Sequence, residues 1–240
     1  MMETYVLVHG GGHGGWCYRK VAKLLRDAGH EVYTPTLTGL GERRHLLSID
    51  TNLSTHVTDI VNTLEYEDLR GVILVGHSYG GMVITGVADR AADRIRELVY
   101  LDAAHPYDGQ SLVDTAPTAM AFARSSSQIV NGVELVMWPN DEMVAAMGVS
   151  DPDDVAILRA KMTPHPWKAF EERLSFVNGD AALRIPRTNI NCTASLRRSS
   201  DADRAKQLDG HRNFEIDTGH DLMMTEPRRV TDMLLEVAST

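Results

Sequence analysis

Cysteine is scarce in this chain, and two residues in 240, Cys17 and Cys192, do not make a disulfide framework. Both read as reduced thiols, with Cys17 packed inside the first helix. Basic residues are in deficit: 24 Lys and Arg stand against 33 Asp and Glu, a formal charge of −9. A nucleic-acid or anionic-membrane surface is therefore not expected. No apolar run approaches the roughly 20 residues of a membrane-spanning helix, and no basic segment with a long apolar core opens the chain. Low-complexity tracts and internal repeats are lacking too. These absences lead to the expectation of a cytoplasmic globular protein. What is present, 43% hydrophobic and 24% charged residues, suits one core with room for an insertion.

The most informative stretch is Val72 to Gly81, VILVGHSYGG. Val72-Ile73-Leu74-Val75 reads as a fully buried strand, and Gly81 to Ala88 suits a packed helix. Between them stands Gly76-His77-Ser78-Tyr79-Gly80. A Gly-x-Ser-x-Gly frame alone arises by chance in roughly one chain in ten of this length. Set between a strand and a helix, it forces Ser78 onto a sharp turn with its hydroxyl exposed. Small flanking residues are required because strand and helix come so close.

Taken in order, Tyr5 to Val8 is a short buried strand followed by His9 and the loop Gly10-Gly11-Gly12-His13-Gly14-Gly15. Helical spacing runs from Trp16 to Ala28, stopped by Gly29, and Glu31 to Thr34 is the next strand. Thr36 to Asp50 reads as a polar loop. Leu53 to Leu64 is an amphipathic helix with Ser54 as its N-cap. After the Ser78 unit, Ile95 to Leu101 is a strand ending at Asp102. From 106 to 186 the rhythm changes to helical pieces near 112–123, 141–147, 152–161 and 167–174. Thr188 to Thr193 and Asn213 to Ile216 resume the strands, with a helix over 202–208 between them and a closing helix over 226–237. The expected fold is α/β: a mostly parallel, doubly wound sheet (1–105 and 187–240) with a helical cap insertion (106–186) over its carboxyl edge.

A serine hydroxyl needs a base before it can attack. His220, in the loop after the last strand, is placed for that role. The acid that orients it is open between Asp102, at the end of the strand after Ser78, and Asp201 or Asp203 beyond the penultimate strand. The latter two read better as the acidic start of a helix. Oxyanion donors are expected from the backbone N–H of Tyr79 and from the glycine loop, at Gly11 ahead of Gly10. That loop also fits Gly10-x-Gly12-x-x-Gly15, a dinucleotide fingerprint. The acid such a site wants at the end of the second strand is missing, since that strand closes Tyr33-Thr34-Pro35. His9 and His13 as metal ligands lack a preset loop and an acid, so neither a metal nor another cofactor is expected.

Five stretches together, VLVHGGGHGGWCY, GHSYGGMVI, YLDAAHPYDGQS, TPHPWKAFEERL and TGHDLMMTEP, resemble the α/β-hydrolase superfamily. The likeness is to the branch of plant methylesterases and hydroxynitrile lyases with bacterial pyrethroid and carbamate esterases. It implies Ser78 as nucleophile, His220 as base, and Gly11 and Tyr79 as oxyanion donors. Most members carry the acid after the penultimate strand, where this chain has Ala194 and Ser195. The zearalenone lactonase type uses the strand after the nucleophile, the place of Asp102. Hydroxynitrile lyases have a threonine and a lysine where Gly10 and Asp221 stand, which favours hydrolysis. The expected partner is a small apolar or aromatic ester or carbamate, held by cap residues such as Met120, Phe122, Met137, Trp138, Met143, Met147, Trp167 and Phe170, or packed by them against the sheet. A lactonase, a lyase of the same fold, or a binding protein without turnover are the alternatives.

Overall fold

A computed structural model describes residues 1–239. Its first half alternates strand and helix: β1 (Thr4–Val8), α1 (Arg19–Asp27), β2 (Glu31–Tyr33), α2 (Leu53–Tyr66), β3 (Val72–His77), α3 (Gly80–Arg90) and β4 (Ile95–Leu101). The insertion follows with α4 (Leu112–Thr115), α5 (Pro117–Arg124), β5 (Ser127–Val130), β6 (Val133–Val136), α6 (Asp141–Ala146), α7 (Pro152–Lys161), β7 (His165–Pro166) and α8 (Lys168–Glu171). The core resumes with β8 (Arg187–Cys192), α9 (Thr193–Arg198), α10 (Asp201–Gln207), β9 (Arg212–Ile216), α11 (Leu222–Thr225) and α12 (Pro227–Ala238).

Six strands form one parallel sheet in the order β2-β1-β3-β4-β8-β9. The chain winds outward from β1 to β2, then returns to lay β3 on the other side of β1. That reversal leaves a crevice at the carboxyl ends of β1 and β3, where ligands of open α/β sheets bind. The glycine loop and the Ser78 turn both open onto it. β1 and β3 are continuous apolar runs because helices cover both faces, and Tyr5 to Val8 and Val72 to Val75 are fully buried. α3 is buried from Gly80 to Asp89, and a Cβ on Gly86 would lie 2.7 Å from Val57 of α2.

Five local expectations are corrected. The insertion is not purely helical: β5, β6 and β7 form a three-stranded antiparallel sheet. Asn131 and Gly132, both at positive φ, close a two-residue hairpin between paired Val130 and Val133. The helix expected over 112–123 breaks at Ala116, since Pro117 cannot continue the preceding hydrogen-bond ladder. α2 is capped by Asn52 in a capping box with Thr55, not by Ser54. The Ser54 N–H and hydroxyl instead donate to Glu172 at 2.9 and 2.7 Å, and the helix expected to run to Leu174 stops at Glu171. Cys17 is buried, but in a 3₁₀ turn ahead of α1. Among the described residues, no helix is long and apolar enough to cross a membrane.

Candidate active site

Ser78 sits between β3 and α3 with φ +53°. An ordinary residue avoids this left-handed region, and the sharp strand-to-helix turn imposes it. The turn is possible because its flanks carry no side chains. A Cβ at Gly76 would fall 2.6 Å from the Gly80 carbonyl, and one at Gly80 would fall 2.7 Å from the Val8 carbonyl of β1. The Ser78 carbonyl accepts from the N–H groups of Gly81 and Ala104, each at 3.0 Å, tying the turn to the loop after β4.

Asp102 ends β4 with φ +45°, a second strained residue at the same sheet edge. Its backbone N–H donates to Ile190 of β8 at 2.7 Å, and its Oδ1 accepts the Cys192 N–H at 3.0 Å. Oδ2 receives the His220 ring at Nδ1 over 2.6 Å, the Ser195 hydroxyl over 2.8 Å and the Cys192 thiol over 3.2 Å. Burial opposes ionisation of Asp102, but the hydrogen bond and charge of His220, then the Ser195 and Cys192 donors, hold the carboxyl below the usual range. Burial likewise disfavours an imidazolium at His220, and Asp102 outweighs it, raising the ring above an ordinary histidine. Burial, then the nearby carboxylate, pushes the Cys192 thiol up to about 11, so it serves as a protonated donor.

Asp201 opens α10 on the surface, and its carboxylate lies 3.7 Å from Arg204. Asp203 accepts the Ser200 hydroxyl at 2.7 Å and lies on the wall of the larger cavity described below. Neither is hydrogen-bonded to His220. The sequence reading missed Ser195 and Cys192 as partners of Asp102, because nothing in their local spacing marks them as facing the end of β4.

Among the described residues, nothing accepts from the backbone N–H of Gly11 or Tyr79. Both residues line a small cavity together with Ser78 and His220, closed by Trp138, Met147 and Phe170 of the insertion. A larger cavity of about 250 Å³ shares Ser78, His220, Leu112 and Met120 and extends past Asp102 and Ser195 to Lys206. Phe122, grouped with the cap apolars in the sequence reading, is 45% exposed, whereas Met143 and Trp167 are buried in the core and line neither cavity.

His9 and His13 do not approach a metal set. His9 gives Nδ1–H to the Gly10 carbonyl at 2.8 Å and accepts the Leu37 N–H at Nε2 over 3.1 Å, so it is neutral, with burial lowering it to about 3. His13 faces Asp221. Among the described residues, no cluster of three or more His, Cys, Asp or Glu side chains could hold a metal ion.

A parallel sheet of this order, with a strained serine after β3, defines a hydrolase-type α/β architecture. The chain belongs to the α/β hydrolase family, whose pattern it matches over residues 5–233. It is 56% identical over 131 residues to the carbendazim hydrolyzing esterase of Nocardioides sp. (strain SG-4G), a match covering 55% of this chain and 54% of that protein. Against the putative chloroplastic methylesterase 15 of Arabidopsis thaliana the identity is 29% over 191 residues, covering 72% of this chain and 41% of that one. The chain thus spans about half the length, or less, of these two relatives. The structure of an extracellular α/β-hydrolase from a Paenibacillus species superposes with a TM-score of 0.80 over 98% of each chain, at 24% identity. That last likeness is one of fold.

Proposed function

We propose that this protein is a serine-dependent carboxylesterase that cleaves a small ester or carbamate through an acyl-enzyme on Ser78. The observation that carries this reading is the 2.6 Å hydrogen bond from His220 Nδ1 to a buried Asp102, with Ser78 and His220 on the walls of the same cavities. With Nδ1 committed to the carboxylate, Nε2 is the nitrogen left to take the Ser78 proton. Ser78 Oγ then attacks the carbonyl carbon, and the developing oxyanion is met by the N–H groups of Gly11 and Tyr79. His220 returns the proton to the leaving alcohol. Water, deprotonated by the same ring, attacks the acyl-enzyme and releases the acid and free Ser78.

Residues 106–186 act as a cap in this reading, because Leu112, Met120, Trp138, Met147 and Phe170 furnish the apolar walls beside Ser78. Those walls favour an apolar or aromatic substituent, while Lys206 and Gln207 give the larger cavity a polar far end. The likeness to a carbendazim hydrolyzing esterase makes carbendazim the first carbamate to try. Asp102 on the strand after the nucleophile makes lactones worth including beside it.

The test is turnover of p-nitrophenyl acetate and of a panel of methyl esters, carbamates and lactones, with labelling by a serine-directed fluorophosphonate. Turnover and a single adduct on Ser78 are expected. If the folded protein neither turns over any of these nor takes the label, the hydrolytic reading fails and a binding protein is the better account.

A further inference from the structure

His13 and Asp221 take no part in the steps above, yet both are buried, at 1% and 0% exposure, and they meet beside the small cavity. His13 Nε2 lies 3.0 Å from Asp221 Oδ2, and His13 Nδ1 lies 2.9 Å from the Gly11 carbonyl oxygen. A carbonyl can only accept, and so can an ionised carboxylate. A neutral imidazole carries one N–H and one lone pair, so against these two partners it would set lone pair against lone pair. Only a doubly protonated ring satisfies both when Asp221 is ionised. Trp16 stacks on the ring at a centroid distance of 5.5 Å, an arrangement that suits a cation.

The same contacts fix the peptides on both sides of Gly11. The Gly10 carbonyl accepts from His9 Nδ1–H at 2.8 Å and from the His13 N–H at 3.4 Å. Because a trans peptide points its N–H opposite to its C=O, the Gly11 N–H is turned the other way. The next peptide is held at both ends: its carbonyl by His13, and its N–H, that of Gly12, by His165 Nδ1 at 3.1 Å. The Gly12 carbonyl is in turn held by the Thr163 N–H at 2.9 Å. A loop with glycine at 10, 11, 12, 14 and 15 has wide conformational freedom of its own, so such outside contacts must supply its order.

We infer that His13, kept as an imidazolium by Asp221, is a positioning residue that locks the glycine loop with the Gly11 N–H facing Ser78. This rests on the esterase reading for its role in catalysis, and on the contacts alone for its charge. Electrostatics point the same way. Burial opposes charge on both groups, but Asp221 holds His13 above the usual histidine range and His13 holds Asp221 below the usual carboxylate range. His77, edge-on to His13 at 5.9 Å, is lowered by burial, then by the charge of His220, to about 3 and stays neutral.

The charge is tested by ring ¹⁵N NMR of the whole protein, with the His13 signals assigned by their loss in His13→Gln. Both ring nitrogens protonated from pH 6 to 8 is the expected result; a single ring proton overturns the inference. The positioning role is tested with Asp221→Asn and His13→Ala. In Asp221→Asn a neutral ring can still donate to Gly11 and accept from the new amide, so the charge goes while the bonds stay, and kcat should fall about tenfold because charge-assisted hydrogen bonds are the stronger kind. His13→Ala should lower kcat about a hundredfold with KM within twofold, as losing an oxyanion donor does. It should also remove hydrogen-exchange protection from the Gly12 amide. Wild-type kcat and an unchanged Gly12 amide in folded His13→Ala would sink the role. The Gly12 and ring signals are read without turnover, so they stay informative even if Ser78 takes no label.

Discussion

Ser195 and His220 donate to the same oxygen of Asp102, from 2.8 and 2.6 Å. Position 195, at the start of α9, thus reaches the carboxylate from just beyond β8. The serine there spreads part of the carboxylate's charge away from the ring. In the proposed mechanism His220 must be neutral to accept a proton, so kcat/KM should fall as pH drops through its pKa, which Asp102 holds above the ordinary histidine value. Ser195→Ala removes one donor from the carboxylate, leaving more charge to stabilise the imidazolium. The acid limb of the kcat/KM profile should then move to higher pH, by up to about one unit. A limb that stays put, or moves down, rules out electrostatic coupling through Asp102.

Asp102→Asn keeps the shape but lets the side-chain amide donate to Nδ1, which places the ring proton on Nε2, where it blocks proton transfer from Ser78. A loss of about 10⁴ in kcat is expected from such a tautomer change. Asp201→Asn, on the exposed face of α10, should leave kcat within twofold. Steady-state kinetics of the two variants on p-nitrophenyl acetate compare the two acids directly. The reverse ranking would transfer the orienting role to Asp201.

The His13–Asp221 pair has a pH signature in stability. Asp221 is depressed, so its contribution is complete above the unfolded carboxylate value of about 4 and is lost as pH falls through the folded pKa. His13 is raised, so its contribution is complete below the unfolded value of about 6.5 and fades as pH rises toward the folded pKa. The stability gap between wild type and Asp221→Asn should be widest between about pH 4 and 6.5. Asp221→Ala, which leaves a buried cation without a partner, should cost about 3–5 kcal/mol in urea unfolding at pH 6. A gap that does not change with pH would mean that the pair carries no charge.

The Ser78 turn depends on close backbone contact as much as on the serine itself. A Cβ on Gly81 would sit 2.1 Å from the Ala104 carbonyl, and the N–H of Ala104 supports the Ser78 carbonyl. Gly81→Ala should therefore destabilise the fold by about 3 kcal/mol, the upper end for overpacking. Activity should fall as well, because the clash pushes the loop after β4 away from the turn. Thermal unfolding and fluorophosphonate labelling of the folded fraction would show both effects.

Much of the architecture is local physics and was legible in the chain. Buried strands announce themselves as apolar runs at Tyr5 to Val8 and Val72 to Val75, glycines mark the turn around Ser78, and acids mark the start of α10. Asn131-Gly132 between β-formers is a local signal too, and it encodes the hairpin of the insertion. The helix over 167–174 failed for a distant reason, since Glu172 is drawn to Ser54, 118 residues away.

Order along the chain determined that a serine, a histidine and a glycine loop would each follow a strand of one parallel sheet. It did not determine which carboxylate meets the His220 ring, because that depends on β4 lying beside β8 and on Asp102 rising from the seam between them. Nor did it reveal the state of ten histidines that look alike as letters. Whether an imidazole is neutral, as at His9 and His77, or charged, as inferred at His13, follows from which donors and acceptors burial presses against its two nitrogens. For His13 that decisive neighbour lies 208 residues away and is brought close only by folding.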